Sequence, residues 1–310
     1  MQSITLSASD GANVACYDWP LESPKAVIQI AHGMGEHAKR YDWVAQQLNN
    51  AGFAVRANDH RGHGETAQQS SYPLGYMGPD GWNRTVSDAY EINQDLRQTY
   101  PGKPLILLGH SMGSMLAQQY ITRHGASIDV LVLSGSPGFK AKSINPIPRW
   151  ILRFEQWRQG LDGASDLMQG VLFGSANKPF EAESEQVTGF EWLSRDVAQV
   201  ALYANDPFCG FVLSTGSLGD LYLGAANAAN PANHAAIPNK LPVYIFSGSV
   251  DPVHSEQQDI QRMYAAYQDA GLTDVTLKWY EQGRHEMFNE TNRDEVIRDL
   301  IAWLNSKLSE

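Results

Sequence analysis

The chain of 310 residues carries 23 basic and 34 acidic side chains, a formal net charge of −11, with 43% hydrophobic and 18% charged residues. That is enough apolar material for a large buried core, as one big domain or one domain with an insertion. The acidic balance disfavours nucleic acid, which needs a basic footprint, and electrostatic docking on anionic lipid, and leaves neutral or weakly amphiphilic substrates open.

The first residues read as a hairpin, with Ile4-Thr5-Leu6 and Val14-Ala15-Cys16-Tyr17 flanking turn residues 9–13. An apolar run at 26–31 predicts a buried strand. Residues 43–51 predict a helix, with Val44, Leu48 and Ala51 on one face and Gly52 as its stop. A strand at 53–57 follows, then a long helix at 82–100 that places Trp82, Val86, Ala89, Leu96 and Tyr100 at helical spacing before Pro101. A strand at 104–108 runs into helical sequence after Ser111, and a further strand occupies 128–133. From 139 to 239 the sequence is helical or loop-like without a convincing strand. The alternation resumes with strands at 243–246 and 275–280 and helices at 257–267 and 294–304. Alternating strand and helix implies a parallel sheet covered on both faces. The expected organisation is an α/β core of residues 1–138 and 240–310 with a helical cap at 139–239.

No apolar run approaches a membrane span, and the N-terminal residues lack the basic and apolar regions of a signal peptide. Cys16 and Cys209 read as two reduced thiols rather than a disulfide. These features predict a cytoplasmic protein, peripheral at a membrane at most. They leave the oligomeric state open.

Gly109-His110-Ser111-Met112-Gly113 sits between the 104–108 strand and the following helix. In that setting a G-x-S-x-G turn exposes the serine hydroxyl at the top of a sheet. Elsewhere it is a helix-capping serine in a glycine-rich turn. A nucleophilic serine needs a base, and the base needs an orienting carboxylate. Asp251 and His285 each follow one of the last two strands, where loops at the carboxyl edge of a parallel sheet converge. Taken singly, Asp251 reads as a turn residue before Pro252 and His285 as a loop histidine. Their joint order after successive strands makes Ser111, Asp251 and His285 the expected triad. The backbone N–H of Met112, at the helix start, and of Met34, between Gly33 and Gly35, are the expected oxyanion donors.

Several runs together carry a resemblance: His32-Gly33-Met34-Gly35-Glu36-His37 with Arg40-Tyr41, Asp59-His60-Arg61-Gly62-His63-Gly64, the Ser111 pentapeptide, Asp251-Pro252-Val253 and Gly283-Arg284-His285-Glu286. With Trp192-Leu193-Ser194-Arg195-Asp196 and Asp206-Pro207-Phe208-Cys209-Gly210-Phe211, the chain resembles the monoacylglycerol lipase/lysophospholipase branch of the α/β-hydrolase superfamily over essentially its whole length. The resemblance implies an α/β-hydrolase fold with a helical cap and the chain order Ser, Asp, His for the triad. It implies hydrolysis of monoacylglycerols, lysophospholipids or similar short-to-medium acyl esters through an acyl-enzyme, without a cofactor. Ser114 departs from it, since many relatives carry a second glycine there.

Trp150, Phe154, Trp157 and Leu161 recur at helical spacing within the insertion, interleaved with Arg149, Arg153 and Arg158. They are expected to pack the cap on the core and to wall the acyl pocket, with transient membrane-surface contact as the rival reading. His60 and His63 near Asp59 raise a metal site; no further cluster completes it in the sequence, so no metal is assigned. Two other functions remain open. A peptidase of the proline-iminopeptidase type would need a cap carboxylate for the substrate amine, from Glu183, Glu185 or Glu191. A ligand receptor on a hydrolase frame would need no turnover.

Overall fold

Strand residues alternate between the two faces of a sheet, so a sheet covered on both sides needs apolar residues at consecutive positions. The computed structural model, which describes residues 1–140, 149–173, 175–183 and 187–308, has this pattern. Its eight strands are β1 (Gln2–Ser7), β2 (Asn13–Trp19), β3 (Ala26–Ala31), β4 (Phe53–Asn58), β5 (Leu105–His110), β6 (Val130–Ser134), β7 (Val243–Gly248) and β8 (Val275–Tyr280). They form one sheet in the order β1-β2-β4-β3-β5-β6-β7-β8. The hairpin strands pair antiparallel, β2 joins β4 antiparallel, and all later pairings are parallel.

The helices of the core are α1 (Asp42–Asn50), α2 (Gly64–Gln69), α3 (Gly81–Thr99) and α4 (Met112–His124), with α5 (Arg149–Gln159), α6 (Asp166–Phe173), α7 (Val197–Ala204), α8 (Thr215–Ala228) and α9 (Pro231–His234) between β6 and β7, and α10 (Gln258–Asp269) and α11 (Arg293–Leu308) after it. Ile28, Ile30, Ile106, Leu108, Val130, Val132 and Phe246 face α1 and α11, which contribute Val44, Leu48, Val296, Leu300 and Leu304. Their strand neighbours Val27, Leu105, Leu107, Leu131, Leu133 and Ile245 face the opposite way, toward Val86, Leu96, Leu116, Ile121 and Ile260 of α3, α4 and α10. Burying each such side chain contributes about 1.5–3 kcal/mol, which makes the sheet a rigid platform.

Among the described residues between β6 and β7 there is no strand. Not all of this stretch stands over the sheet. Leu218 and Leu221 of α8 belong to the α3/α4 core, and a Cβ on Gly224 would lie 1.9 Å from the Trp82 indole nitrogen. Helix α2 was not anticipated; six residues are too short to display a period. No helix among the described residues is long and apolar enough to cross a membrane.

Candidate active site

From β3 the chain moves to one side for β4 and then to the other side of β3 for β5. The loops leaving β3 and β5 therefore part, and a crevice opens between them at the carboxyl ends of the strands. Ser111 and the 32–37 loop lie on its two sides. Ser111 has φ +51° and ψ −117°, a conformation that costs a non-glycine residue about 1–3 kcal/mol and that the packing around it enforces. The glycines of the pentapeptide are required sterically. A Cβ on Gly109 would sit 2.4 Å from the Gly113 carbonyl oxygen, and one on Gly113 would sit 2.1 Å from that of Ala31. Ser114 is buried and donates its hydroxyl to the Ser111 carbonyl at 2.6 Å, so a serine fits at this position.

Asp251 and His285 arrive from the ends of β7 and β8. Those two loops touch closely: Val250 N–H donates to the Gly283 carbonyl, and a Cβ on Gly248 would lie 2.0 Å from that oxygen. His285 Nε2 is 2.9 Å from Ser111 Oγ, and His285 Nδ1 is 2.8 Å from Asp251 Oδ2. An ionised carboxylate only accepts, so Nδ1 carries the proton and Nε2 is free to accept from the serine hydroxyl. Asp251 Oδ1 caps the short helix Pro252–His254 through Val253 N–H while Oδ2 faces the imidazole. Burial by itself would raise the Asp251 carboxyl, but His285 beside it holds it below the ordinary value. Burial likewise opposes a charged His285, yet the adjacent Asp251 raises that imidazole above its ordinary value, with help from Glu286 and Glu36. The rings of Trp192 and His110 pack on His285, each 4.9 Å from it between centroids.

On the other side of the crevice, the Gly33 N–H donates to Glu36 Oε1 at 2.5 Å and the Gly35 N–H to His63 Nε2 at 3.4 Å. The peptide of Met34 lies between these two anchored ones. Gly35 has φ +65°, and a Cβ on Gly33 would crowd the Ser111 Cβ at 3.2 Å. Glu36 opens an ion cluster to which the sequence motifs give no role. Arg40 donates to Glu36 Oε2 at 2.6 Å and to both oxygens of Glu286 at 2.7 Å. The cluster thus joins the loop of Met34 to the residue after His285. Arg40 and Glu286 are 246 positions apart, and nothing in a single sequence pairs them.

A cavity of about 380 Å³ opens over Ser111 and His285, with Met34, Phe190, Trp192, Tyr203, Phe211 and Val212 among its walls. Trp150, Phe154 and Trp157 are not among them. They are 71%, 50% and 80% exposed and point outward, so their expected place in the pocket is corrected. The reason is that α5 turns its other face inward. Ile151 and Leu152 pack on the core, and the buried carboxylate of Glu155 is held by Arg158 and Ser165. The rings of Phe154 and Trp157 pack on each other instead. The side chain of Arg149 lies outside the described residues.

Of the cap carboxylates considered for an amine, Glu191 is engaged. It accepts from Thr188 N–H and Oγ1, Asn177 Nδ2 and Gly189 N–H. Glu185 and the side chain of Glu183 lie outside the described residues. The histidines weighed as metal ligands are also engaged. His60 Nε2 donates to the His32 carbonyl at 3.2 Å, and His63 Nδ1 donates to the Arg61 carbonyl while its Nε2 accepts from Gly35 N–H. Burial lowers His60 to about 3 and His63 to about 4. Asp59 accepts from Ala38 N–H, Glu65 N–H and Tyr17 hydroxyl, as a buried scaffold for the loop. Among the described residues, the group with metal-ligand spacing is His37, Asp206 and Cys209.

A family model described as serine aminopeptidase, S33, matches residues 22–292. The chain is 27% identical to a monoacylglycerol lipase of Mycolicibacterium smegmatis over 93% of this chain and 91% of the other. It is 26% identical to the human monoglyceride lipase over 96% and 89%. Among solved structures, a thermostable carboxyl esterase from Bacillus coagulans superposes with a TM-score of 0.86 at 29% identity, over 99% of this chain and 98% of that one.

Proposed function

The chain belongs to the serine aminopeptidase S33 family on the α/β-hydrolase fold, in the branch of monoacylglycerol-lipase-like esterases, and from that premise we propose that it hydrolyses carboxylic esters of monoacylglycerol type through an acyl-enzyme on Ser111. The hydrogen-bonded series Ser111–His285–Asp251 at the floor of a cavity with a partly aromatic wall is the observation that carries the proposal.

In this reading Ser111 Oγ attacks the ester carbonyl as His285 Nε2 takes its proton. Asp251 fixes the tautomer and stabilises the imidazolium. The N–H groups of Met34 and Met112 receive the oxyanion, and the start of α4 adds favourable potential there. His285 then protonates the leaving alcohol and activates the water that releases the acid. The acyl chain lies against Phe190, Trp192, Phe211 and Val212, and residues 139–239 act as the cap that supplies most of this wall. The esterase of Bacillus coagulans is described in complex with glycerol, which supports glycerol as the leaving alcohol. Substrates are neutral or weakly amphiphilic esters, and neither nucleic acid nor a cofactor takes part.

The peptidase reading loses its described candidate, because four donors already occupy the Glu191 carboxylate. The test is a panel of p-nitrophenyl esters of rising chain length, beside monoacylglycerol and an aminoacyl anilide. Each methylene buried contributes about 0.8 kcal/mol, so kcat/KM should climb several-fold per methylene until the cavity is full and then fall. A preference for the anilide, or no turnover of any ester, overturns the proposal.

A further inference from the structure

Away from the cavity, three side chains of unlike chemistry converge where the cap meets the loop after β3. His37 ends that loop. Asp206 and Cys209 come from the connection between α7 and α8, in the turn Asp206-Pro207-Phe208-Cys209. The turn is closed by Cys209 N–H donating to the Asp206 carbonyl at 3.0 Å, which brings the thiol back beside the carboxylate. Asp206 Oδ1 accepts from Phe208 N–H, leaving Oδ2 to face His37 Nε2 at 2.9 Å. The imidazole nitrogen, a carboxylate oxygen and the thiol sulfur all lie within 4.8 Å of one another. None of the three lines the cavity over Ser111.

We propose that His37, Asp206 and Cys209 form a zinc site that ties the cap to the oxyanion loop. One nitrogen, one oxygen and one sulfur donor suit a borderline-soft ion that takes four ligands at about 2.0–2.3 Å, with water in the fourth position. The carboxylate already hydrogen-bonded to the imidazole is close enough to share such an ion after small rotamer changes. The local charge is favourable. Arg40 is the neighbouring cation, and the carboxylates of Glu36 and Glu286 hold it. Burial raises the Cys209 thiol well above its ordinary value, so without metal it stays protonated. On binding, the S–H bond breaks, the thiolate bonds the ion, and the proton leaves to solvent. The tie would add to two existing ones, since Gly35 carbonyl already accepts from Gly210 N–H at 2.9 Å and Tyr203 hydroxyl at 2.8 Å. The metal would thus restrain the same loop that carries Met34 without entering the reaction, and the inference does not depend on the ester-hydrolase reading.

The experiment titrates the chelator-treated full chain with Zn²⁺ by calorimetry, and with Co²⁺ as a spectroscopic probe. The expected result is one equivalent bound, with proton release and a thiolate-to-cobalt charge-transfer band. Both signals are lost in Cys209→Ser, and Asp206→Asn weakens them. Zn²⁺ should also raise the melting temperature of the wild type and not of Cys209→Ser. On the wild-type chain alone, Zn²⁺ should protect Cys209 from alkylation as read by mass spectrometry, so a variant that fails to fold does not decide the matter. No saturable equivalent, undiminished alkylation of Cys209, or an unchanged cobalt band in Cys209→Ser overturns the proposal.

Discussion

Replacing Arg40 by methionine tests how far the ion cluster beside the site supports both fold and turnover. The Arg40, Glu36 and Glu286 side chains are 12%, 3% and 7% exposed, so the substitution leaves two carboxylates in the interior without their cation. Removing one partner of a buried ion pair costs about 3–5 kcal/mol. Burial tends to raise the Glu286 carboxyl, and Arg40 overrides it and holds the group at about 2. This depressed group contributes stability that is present above the ordinary carboxylate value of 4.5 and is lost as pH falls through about 2. The variant lacks that contribution at every pH, so the gap from wild type is widest at neutral pH and narrows on acidification. Turnover suffers for a separate reason. Glu36 holds the Gly33 N–H through Oε1, which also accepts from the Tyr41 hydroxyl; without Arg40 on Oε2 that carboxylate is held from one side only and the Met34 peptide is fixed less firmly. Loss of one oxyanion donor costs roughly 10²–10³ in kcat, so a loosened one should cost about tenfold to a hundredfold, with little change in KM. Urea unfolding at pH 7 and at pH 4, with initial rates on p-nitrophenyl butyrate, measures both. An unchanged unfolding midpoint together with an unchanged kcat would refute the reasoning.

Three further outcomes follow from the same structure. His285 must be neutral to accept the serine proton, and Asp251 raises it above its ordinary 6.5; kcat/KM should therefore fall on acidification with a midpoint above 6.5, and a pH-rate profile flat from 8 to 5 contradicts this. His60 and His63 are buried neutral at about 3 and 4 against an ordinary 6.5, so the unfolded chain binds more protons below 6.5, and stability present above that value declines as pH falls toward the folded values. That is about 2 kcal/mol for each histidine between pH 7 and pH 5, and a urea midpoint that rises over this interval would count against it. In the cap, Trp157→Gln should leave the acyl chain-length profile unchanged, because the indole is 80% exposed, whereas Phe190→Ser should flatten it; the reverse pattern would return the outer stripe of α5 to the pocket.

What the sequence made legible was whatever is local or periodic. The strands from β3 to β8 were readable because each is a short apolar run between turn residues, and their ends shifted by only a few positions. The Ser111 turn was readable because Gly109 and Gly113 are sterically forced. Asp251 and His285 were readable because parallel strands deliver their following loops to one edge. The aromatic stripe of α5 misled for a physical reason. Helical spacing identifies a face but not its direction, and here Ile151 and Leu152 take the inner side while a buried carboxylate, Glu155, finds its own partners. The Arg40–Glu286 and His37–Asp206 pairs join distant segments through single polar side chains. They leave no periodic trace, so only the folded chain brings them into view.

The most direct test of the account is the identity of the nucleophile. The full chain is treated with a fluorophosphonate, digested and mapped by mass spectrometry, and Ser111→Ala and Asp251→Asn are assayed on the preferred ester. The account predicts a single adduct, on Ser111, and kcat lowered by roughly a thousandfold or more in each variant with folding intact. An adduct on any other residue, or Ser111→Ala turning over at near the wild-type rate, would contradict it.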